Sequence, residues 1–376
     1  MIKKLYPIRF NPIPKERVWG GKDLVRILNK PFAEDADLGE SWEISDLEDN
    51  DSVILNDYLQ GNTLSEVLET YLGDLVGDEI YNYFRNSFPL LVKLLDIRGE
   101  LSVQVHPNDE IALERYDSYG KSEAWYILDA DEDAAVYMGF NREVSAAEFY
   151  NKCKEGTVAQ ILNRYTPRKG DLFYIEAGTV HAAKGGVLMA EVQQSSDITF
   201  RLYDWGRENG SATARQMHLE EGIDSINYEA YNEGAYYLRA ADSGDSDRIL
   251  VQSDYFTIRE HSIAGKRVIS PSMYNSFIIY MCIEGDIIIN SIEGDFREQL
   301  KKGETILIPA SLSDFELISQ QEKAKLLEIY IDDITKREDY VEESHQPDMN
   351  DSDHDDEDHK HLHHYEYQCS DNCDHH

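Results

Sequence analysis

"GELSVQVHPND", residues 99–109, alternates like a half-buried strand, and its reading decides the fold. Leu101, Val103 and Val105 fall on one side, while Ser102, Gln104 and His106 fall on the other, because strand side chains alternate with period two. Pro107 closes the run, so His106 is its last side chain before the chain turns away. A hydroxyl, an amide and an imidazole in a row suit the wet face of any antiparallel sheet. They suit the floor of a binding pocket equally well.

Working outward, short apolar runs recur between Gly, Asp and Asn turns. They are "PLLVKLLDI" (89–97), "AWYILDA" (124–130), "AAVYMGF" (134–140), "DLFYIEA" (171–177), "VLMAEVQQ" (187–194) and "ITFRLYDW" (198–205). After residue 250 come "YFTIREHSI", "SFIIYMCI", "DIIINSI" and "KLLEIYI". This spacing predicts an antiparallel sandwich or barrel. Two stretches have helical periodicity instead, 61–88 and 144–165. Capping-box patterns stand at Thr63/Glu66, Ser145/Glu148 and Thr157/Gln160.

"GDLFYIEAGTVH" (170–181) and "GETILIPASLSD" (303–314) align without gaps, which points to two copies of one small β unit. The position of His181 in the first copy is Asp314 in the second. Of twelve histidines, eight lie at or beyond His345, and the body holds only His106, His181, His218 and His261. The first copy has imidazoles at strand ends and the second has none, so one copy is expected to work and the other to support it.

Length fits two or three domains, and no apolar run is long enough to span a bilayer. The opening "MIKKLYPIRFNPIP" lacks the apolar core of a secretory signal, and the few cysteines form no disulfide framework; both favour a cytoplasmic protein. A net charge of −37 argues against nucleic acid or an anionic membrane as partner. Residues 332–376 carry sixteen acidic residues against three basic ones and almost no aliphatic side chains, the composition of a disordered tail. That tail also packs His359, His361, His363 and His364 near Cys369 and Cys373, so it is a candidate for binding additional metal ions. A solvated acidic tail with incidental affinity explains the same residues.

Imidazoles at strand ends suit a metal, and His/carboxylate sets with an open position suit catalytic zinc. Glu123, at the mouth of an apolar strand in "GKSEAWYIL", is the candidate carboxylate, and Gln104 a weaker oxygen ligand. Lys93 and Arg201 each interrupt an apolar strand and need a partner there, either a structural carboxylate such as Glu191 or Asp197 or an anionic substrate.

Taken together, "PLLVKLLDIRGELSVQVHPND", "GKSEAWYIL", "AGTVHAA" and "EVQQSSDITFRLYDWGR", with "RVWGG" and "GESWEIS" nearer the start, closely resemble the type I phosphomannose isomerases of the cupin superfamily. The resemblance runs from about residue 5 to residue 330. It implies a mainly β fold with accessory helices, built as two cupin-like β-barrel or jelly-roll domains plus the tail. The expected divisions are 1–245, metal-binding and catalytic; 246–331, a second cupin without a metal; and 332–376. It implies one zinc held by His106, Glu123 and His181, with Gln104 as a fourth ligand in some members. Arg201 and Lys121 match active-site positions, Ser102, Lys93 and Arg207 substrate or phosphate contacts, and Trp19, Glu40 and Glu191 other pocket positions. The implied reaction interconverts mannose 6-phosphate and fructose 6-phosphate through a cis-enediol, with Lys121, Glu191 or a metal-bound water open as the carbon base. Competing readings are a cupin isomerase for another hexose phosphate, an iron-dependent oxygenase, and a non-catalytic sugar-binding or regulatory cupin.

Overall fold

The apolar run at 89–97 forms a strand buried along its whole length because both its faces are covered. Val92 and Leu94 join a core shared with helices and with the C-terminal strands, whereas Leu95 and Ile97 join a second core beneath a facing sheet. Lys93 shares the face of Leu95 and Ile97, so it points into the inter-sheet space. The computed structural model describes residues 3–207, 214–230, 236–240 and 247–337. The expected boundary at 245/246 and the chain beyond Arg337 lie outside the described residues.

The strands of the first half are β1 (Ile13–Gly21), β2 (Leu38–Ile44), β3 (Leu90–Ile97), β4 (Val103–Val105), β5 (Glu123–Ala130) and β6 (Ala135–Phe140). They continue with β7 (Leu162–Tyr165), β8 (Leu172–Ile175), β9 (His181–Lys184), β10 (Val187–Gln194), β11 (Phe200–Tyr203) and β12 (Tyr237–Leu238). A seven-stranded sheet runs β1-β2-β3-β10-β5-β8-β12, and a five-stranded sheet β11-β4-β9-β6-β7 faces it.

The second half has β13 (Arg248–Gln252), β14 (Thr257–Ile263), β15 (Lys266–Ile269), β16 (Ile278–Glu284) and β17 (Asp286–Ser291). It ends with β18 (Arg297–Lys301), β19 (Thr305–Ile308), β20 (Phe315–Ser319) and β21 (Ala324–Tyr330). Its sheets run β13-β14-β21-β16-β19 and β15-β20-β17-β18. The order β3-β10-β5-β8 over β4-β9-β6-β7 thus returns, strand for strand, as β14-β21-β16-β19 over β15-β20-β17-β18. The internal echo in the sequence is the visible part of this repeat, for its two copies carry β8 and β19.

The two copies have different interiors. Glu123 pairs with Ile175 at one end of the first, and the equivalent pair in the second is Ile278 with Ile308, both fully buried in an apolar core. Asp314, counterpart of His181, is exposed. A core of Val92, Leu94, Val192, Ile258, Ile279 and Leu327 joins the two halves, and the N-terminal segment bridges to β19 through Ile8 and Leu307.

The stretch 61–88 is three short helices, Leu64–Tyr71, Gly73–Val76 and Asp78–Phe84, broken by left-handed backbone at Leu72 and Gly77. The box at Thr63/Glu66 is fully formed, and Ser145 caps Ala146–Lys154. The pattern at Thr157/Gln160, expected to start another helix, gives only a 3-10 turn, Val158–Ile161, without a side-chain cap. β7 begins at the next residue, and strand pairing takes over from helix extension. No helix among the described residues is long and apolar enough to cross a membrane.

Candidate metal centre and adjoining cavity

Gln104 lies beside His181 across β4 and β9, and Arg201 lies beside Gln104 across β11 and β4. Directly opposed residues share a face, so His181, Gln104 and Arg201 form a row across the sheet. Val103, Val105, Phe200 and Leu202 point the other way into an apolar core. Glu123 begins β5 on the facing sheet, on the side of Trp125 and Ile127 that meets this row.

His106, Glu123 and His181 converge: their ligand-type atoms lie within 4.8 Å of one another. His106 Nε2 is 3.3 Å from Glu123 Oε2, and His181 Nε2 is 3.3 Å from Oε1. The other ring nitrogens face carbonyls, His106 Nδ1 to Ile198 O at 2.9 Å and His181 Nδ1 to Thr179 O at 2.8 Å. A carbonyl can only accept, so each Nδ1 carries a proton and each Nε2 is the ring atom turned toward Glu123. Burial, with the charge of Lys121 beside it, pushes His106 down to about 3, so that ring is neutral. Burial by itself would raise Glu123, but Lys121 and His106 outweigh it and hold the carboxyl well below its ordinary range.

Both Glu123 oxygens are buried and accept no hydrogen bond of normal geometry, although Lys121 Nζ stands 3.2 Å from Oε2. Lys121 answers Oε2 alone, and a fully buried carboxylate whose other oxygen faces an imidazole with no cation beside it is costly unless a further cation is bound. The donor set, two imidazoles and one carboxylate, fits a divalent ion of the zinc type. Lys121 Nζ is also 3.3 Å from His106 Nε2. Gln104 turns its Nε2 to His181 Nε2 at 3.1 Å, and a ligand role requires the opposite amide orientation.

Next to the triad lies a cavity of about 340 Å³. Of the candidate residues it exposes Trp19, Glu40, Lys93, Gln104, Lys121 and Glu191, together with Arg201. Larger hollows of about 520 and 530 Å³ occur elsewhere, but neither adjoins the triad. Lys93, the charge inside an apolar strand, pairs with Glu191 at 3.0 Å and donates to Gln193 at 2.6 Å. Burial would lower this ammonium, yet Glu191 and Glu40 outweigh it and leave it raised. Glu191 also accepts from Trp125 Nε1 at 2.8 Å, so both its oxygens are engaged. Glu40 is bound by Arg17 and by Trp42 Nε1; burial opposes its ionisation, and Lys93 and Arg17 prevail. Trp19 is buried with its indole N–H unpartnered.

Two candidates stand outside the lining. Ser102 is buried behind Gln104, its hydroxyl 3.4 Å from Gln104 Oε1. Arg207 is turned to Asp204 and to the Glu100 carbonyl. Arg17, Asp197, Thr199 and Arg215 line the cavity and were not singled out as contacts by the sequence. Arg17 was within reach of pattern reasoning, since it shares a strand face with Trp19 two residues on. Arg215 follows no strand or helix period, and nothing local marks it.

Residues 8–145 match the family model for phosphomannose isomerase type I, catalytic domain, and residues 246–327 that for mannose-6-phosphate isomerase, cupin domain. The chain is 34% identical over 315 residues to a mannose-6-phosphate isomerase of Bacillus subtilis (strain 168), covering 83% of this chain and 95% of that protein. It is 30% identical over 303 residues to the mannose-6-phosphate isomerase of Streptococcus mutans, covering 80% and 92% respectively. The crystal structure of the Bacillus subtilis mannose 6-phosphate isomerase superposes with a TM-score of 0.75 at 29% identity, over 86% of this chain and 99% of that one.

Proposed function

The chain belongs to the type I mannose-6-phosphate isomerase family, and from that premise we propose how its own residues carry out the aldose–ketose exchange. The observation that carries the reading is the buried Glu123 carboxylate set between two imidazoles, with Lys121 and Gln104 beside it lining the cavity. His106, Glu123 and His181 would hold one zinc ion, with Gln104 as an adjustable fourth group. When bound, zinc supplies Lewis acidity toward the substrate oxygens on C1 and C2.

Lys121 Nζ is the group we assign to proton transfer, because it lines the cavity and sits against both Glu123 and His106. Glu191 is a weaker choice as carbon base, since Lys93 and Trp125 occupy both its oxygens. Its part is to hold Lys93 at the cavity wall. Arg201 brings a permanent cation to the sugar from the strand beyond Gln104. The indole of Trp19 forms part of the cavity wall. We assign the two sheet pairs to two cupin units, the first working and the second structural, in a cytoplasmic setting.

Metal analysis and a coupled isomerase assay on one purified sample test the reading. About one zinc per chain with turnover of mannose 6-phosphate supports it. Sugar-phosphate binding without turnover at saturating zinc would replace it with a binding protein. A coupled assay across glucose, mannose and fructose phosphates tests the choice of hexose. The His/Cys-rich tail, which lies outside the described residues, is proposed to take up further metal. Equilibrium dialysis of the full chain against a form ending at Arg337 decides that, and equal metal in both would leave the tail without such a role.

A further inference from the structure

We propose that Gln194 and Asp109 are positioning residues of the metal centre, tying into one block the three loops that carry His106, Glu123 and His181. The inference rests on the metal-dependent reading above and adds what holds the ligands in place before an ion is bound.

Each ligand stands on a different stretch of chain, and a metal site must be held to within about 0.5 Å of its working geometry. Carbonyls orient the rings of His106 and His181, but a ring bond does not set the distance between loops. Backbone contacts begin that task. Lys121 N donates to Pro107 O at 3.0 Å, and Gly178 N donates to His106 O at 2.9 Å. The first two loops also touch at Gly120, where a Cβ would lie 2.5 Å from Asp109 N.

Gln194, the last residue of β10, closes the block. It is buried, its backbone N donates to Ser122 O at 3.2 Å, and its side-chain Oε1 accepts from Ser122 N at 2.9 Å. Ser122 stands next to Glu123, and its hydroxyl accepts from Ala177 N at 3.1 Å, in the loop that leads to His181. A backbone N–H can only donate, so the amide must turn its oxygen to Ser122 and its Nε2 to Asp109. That Nε2 donates to Asp109 Oδ1 at 2.8 Å, and the same oxygen accepts from Gly120 N at 2.8 Å. Asp109 Oδ2 faces Arg337 Nη2 at 3.5 Å, a guanidinium packed against the rings of Tyr83 and Tyr255. Asp109 lies three residues after His106, so one amide and one carboxylate reach all three loops. Neither residue lines the cavity beside the triad.

The test uses the full chain and zinc itself, measured in competition with a chromophoric chelator. The visible absorption of the cobalt-substituted protein reports ligand geometry, and urea unfolding reports stability. Gln194→Glu keeps the acceptor for Ser122 but sets a carboxylate oxygen against Asp109. Its zinc affinity should fall about 10- to 100-fold and its cobalt spectrum should change, while KM for mannose 6-phosphate at saturating zinc stays within a few-fold. Asp109→Asn, equal in size but without the charge, should weaken zinc binding by less, and it carries the test if the first variant does not fold. Natural zinc affinity and cobalt spectrum in the folded variants overturn the proposal. So does a lowered urea midpoint with metal affinity unchanged, which is the mark of a merely structural role. A natural chain that takes up no zinc would defeat the metal-dependent reading and this inference with it. A natural chain that binds zinc, beside variants that hold it as tightly, defeats this inference alone.

Discussion

His181 gives one ring nitrogen to the Thr179 carbonyl and presents the other to Glu123, and His106 does the same from Ile198. Each ring is therefore fixed in one tautomer before any ion arrives. His181→Ala is expected to lose bound metal and turnover together, checked by metal analysis beside the coupled assay; turnover by a metal-free variant would refute the assignment. Glu40 gives a pH prediction. Its folded pKa is depressed below 4.5, chiefly because Lys93 and Arg17 outweigh burial. The unfolded chain therefore takes up that proton first as pH falls, and the stability Glu40 contributes is present above about pH 4.5 and lost on acidification through the folded value. Urea midpoints measured from pH 5 downward should fall less steeply for Glu40→Gln than for the natural chain. The sequence exposed His106, Glu123 and His181 because catalytic residue types stood at strand ends. It could not expose Asp204 or Arg215, whose pairing depends on how the chain turns after β11.

Gly39 on β2 shows how an element positions the site. A methyl group there would meet the Arg17 Cβ at 2.5 Å and the Trp19 ring at 2.8 Å. β1 can lie close over β2 only because the side chain is missing. Gly39→Ala should displace Arg17 and Trp19 together and raise KM while leaving metal content unchanged; an unchanged KM would show that the cavity wall tolerates the shift. The capping box at Thr63 is a purely structural element, remote from the triad. Thr63→Ala should cost about 1 kcal/mol in denaturant unfolding with activity intact. Capping was legible where helix and sequence agreed, at Thr63 and Ser145, and misled at Thr157, where β7 follows directly and sheet pairing sets the local conformation. Lys93 is the opposite case. Its place in an apolar strand looked anomalous until Glu191 on β10 came into register with it.

Across the whole molecule, the same strand order is used twice with different contents: Glu123 and its polar neighbours stand at one end of the first pair of sheets, where the second has the apolar Ile278 and Ile308. The halves are joined by a continuous core in which Phe88 and Phe277 meet at 4.7 Å between ring centroids. Phe277→Ala should destabilise the protein by about 3–5 kcal/mol, read by chemical unfolding, and leave kcat at low temperature close to the natural value. Loss of kcat in the folded variant would mean that the second half reaches the site mechanically. The sequence alone determined the strand pattern, the repeat and the three residues of the candidate metal centre, because alternation and strand-end placement are local properties fixed by backbone geometry. Only the tertiary structure decided which charges face one another. Lys93 meets Glu191, Asp204 grips Arg215, and Arg207 turns from the cavity because sheet register and chain turns bring together groups that no periodicity connects.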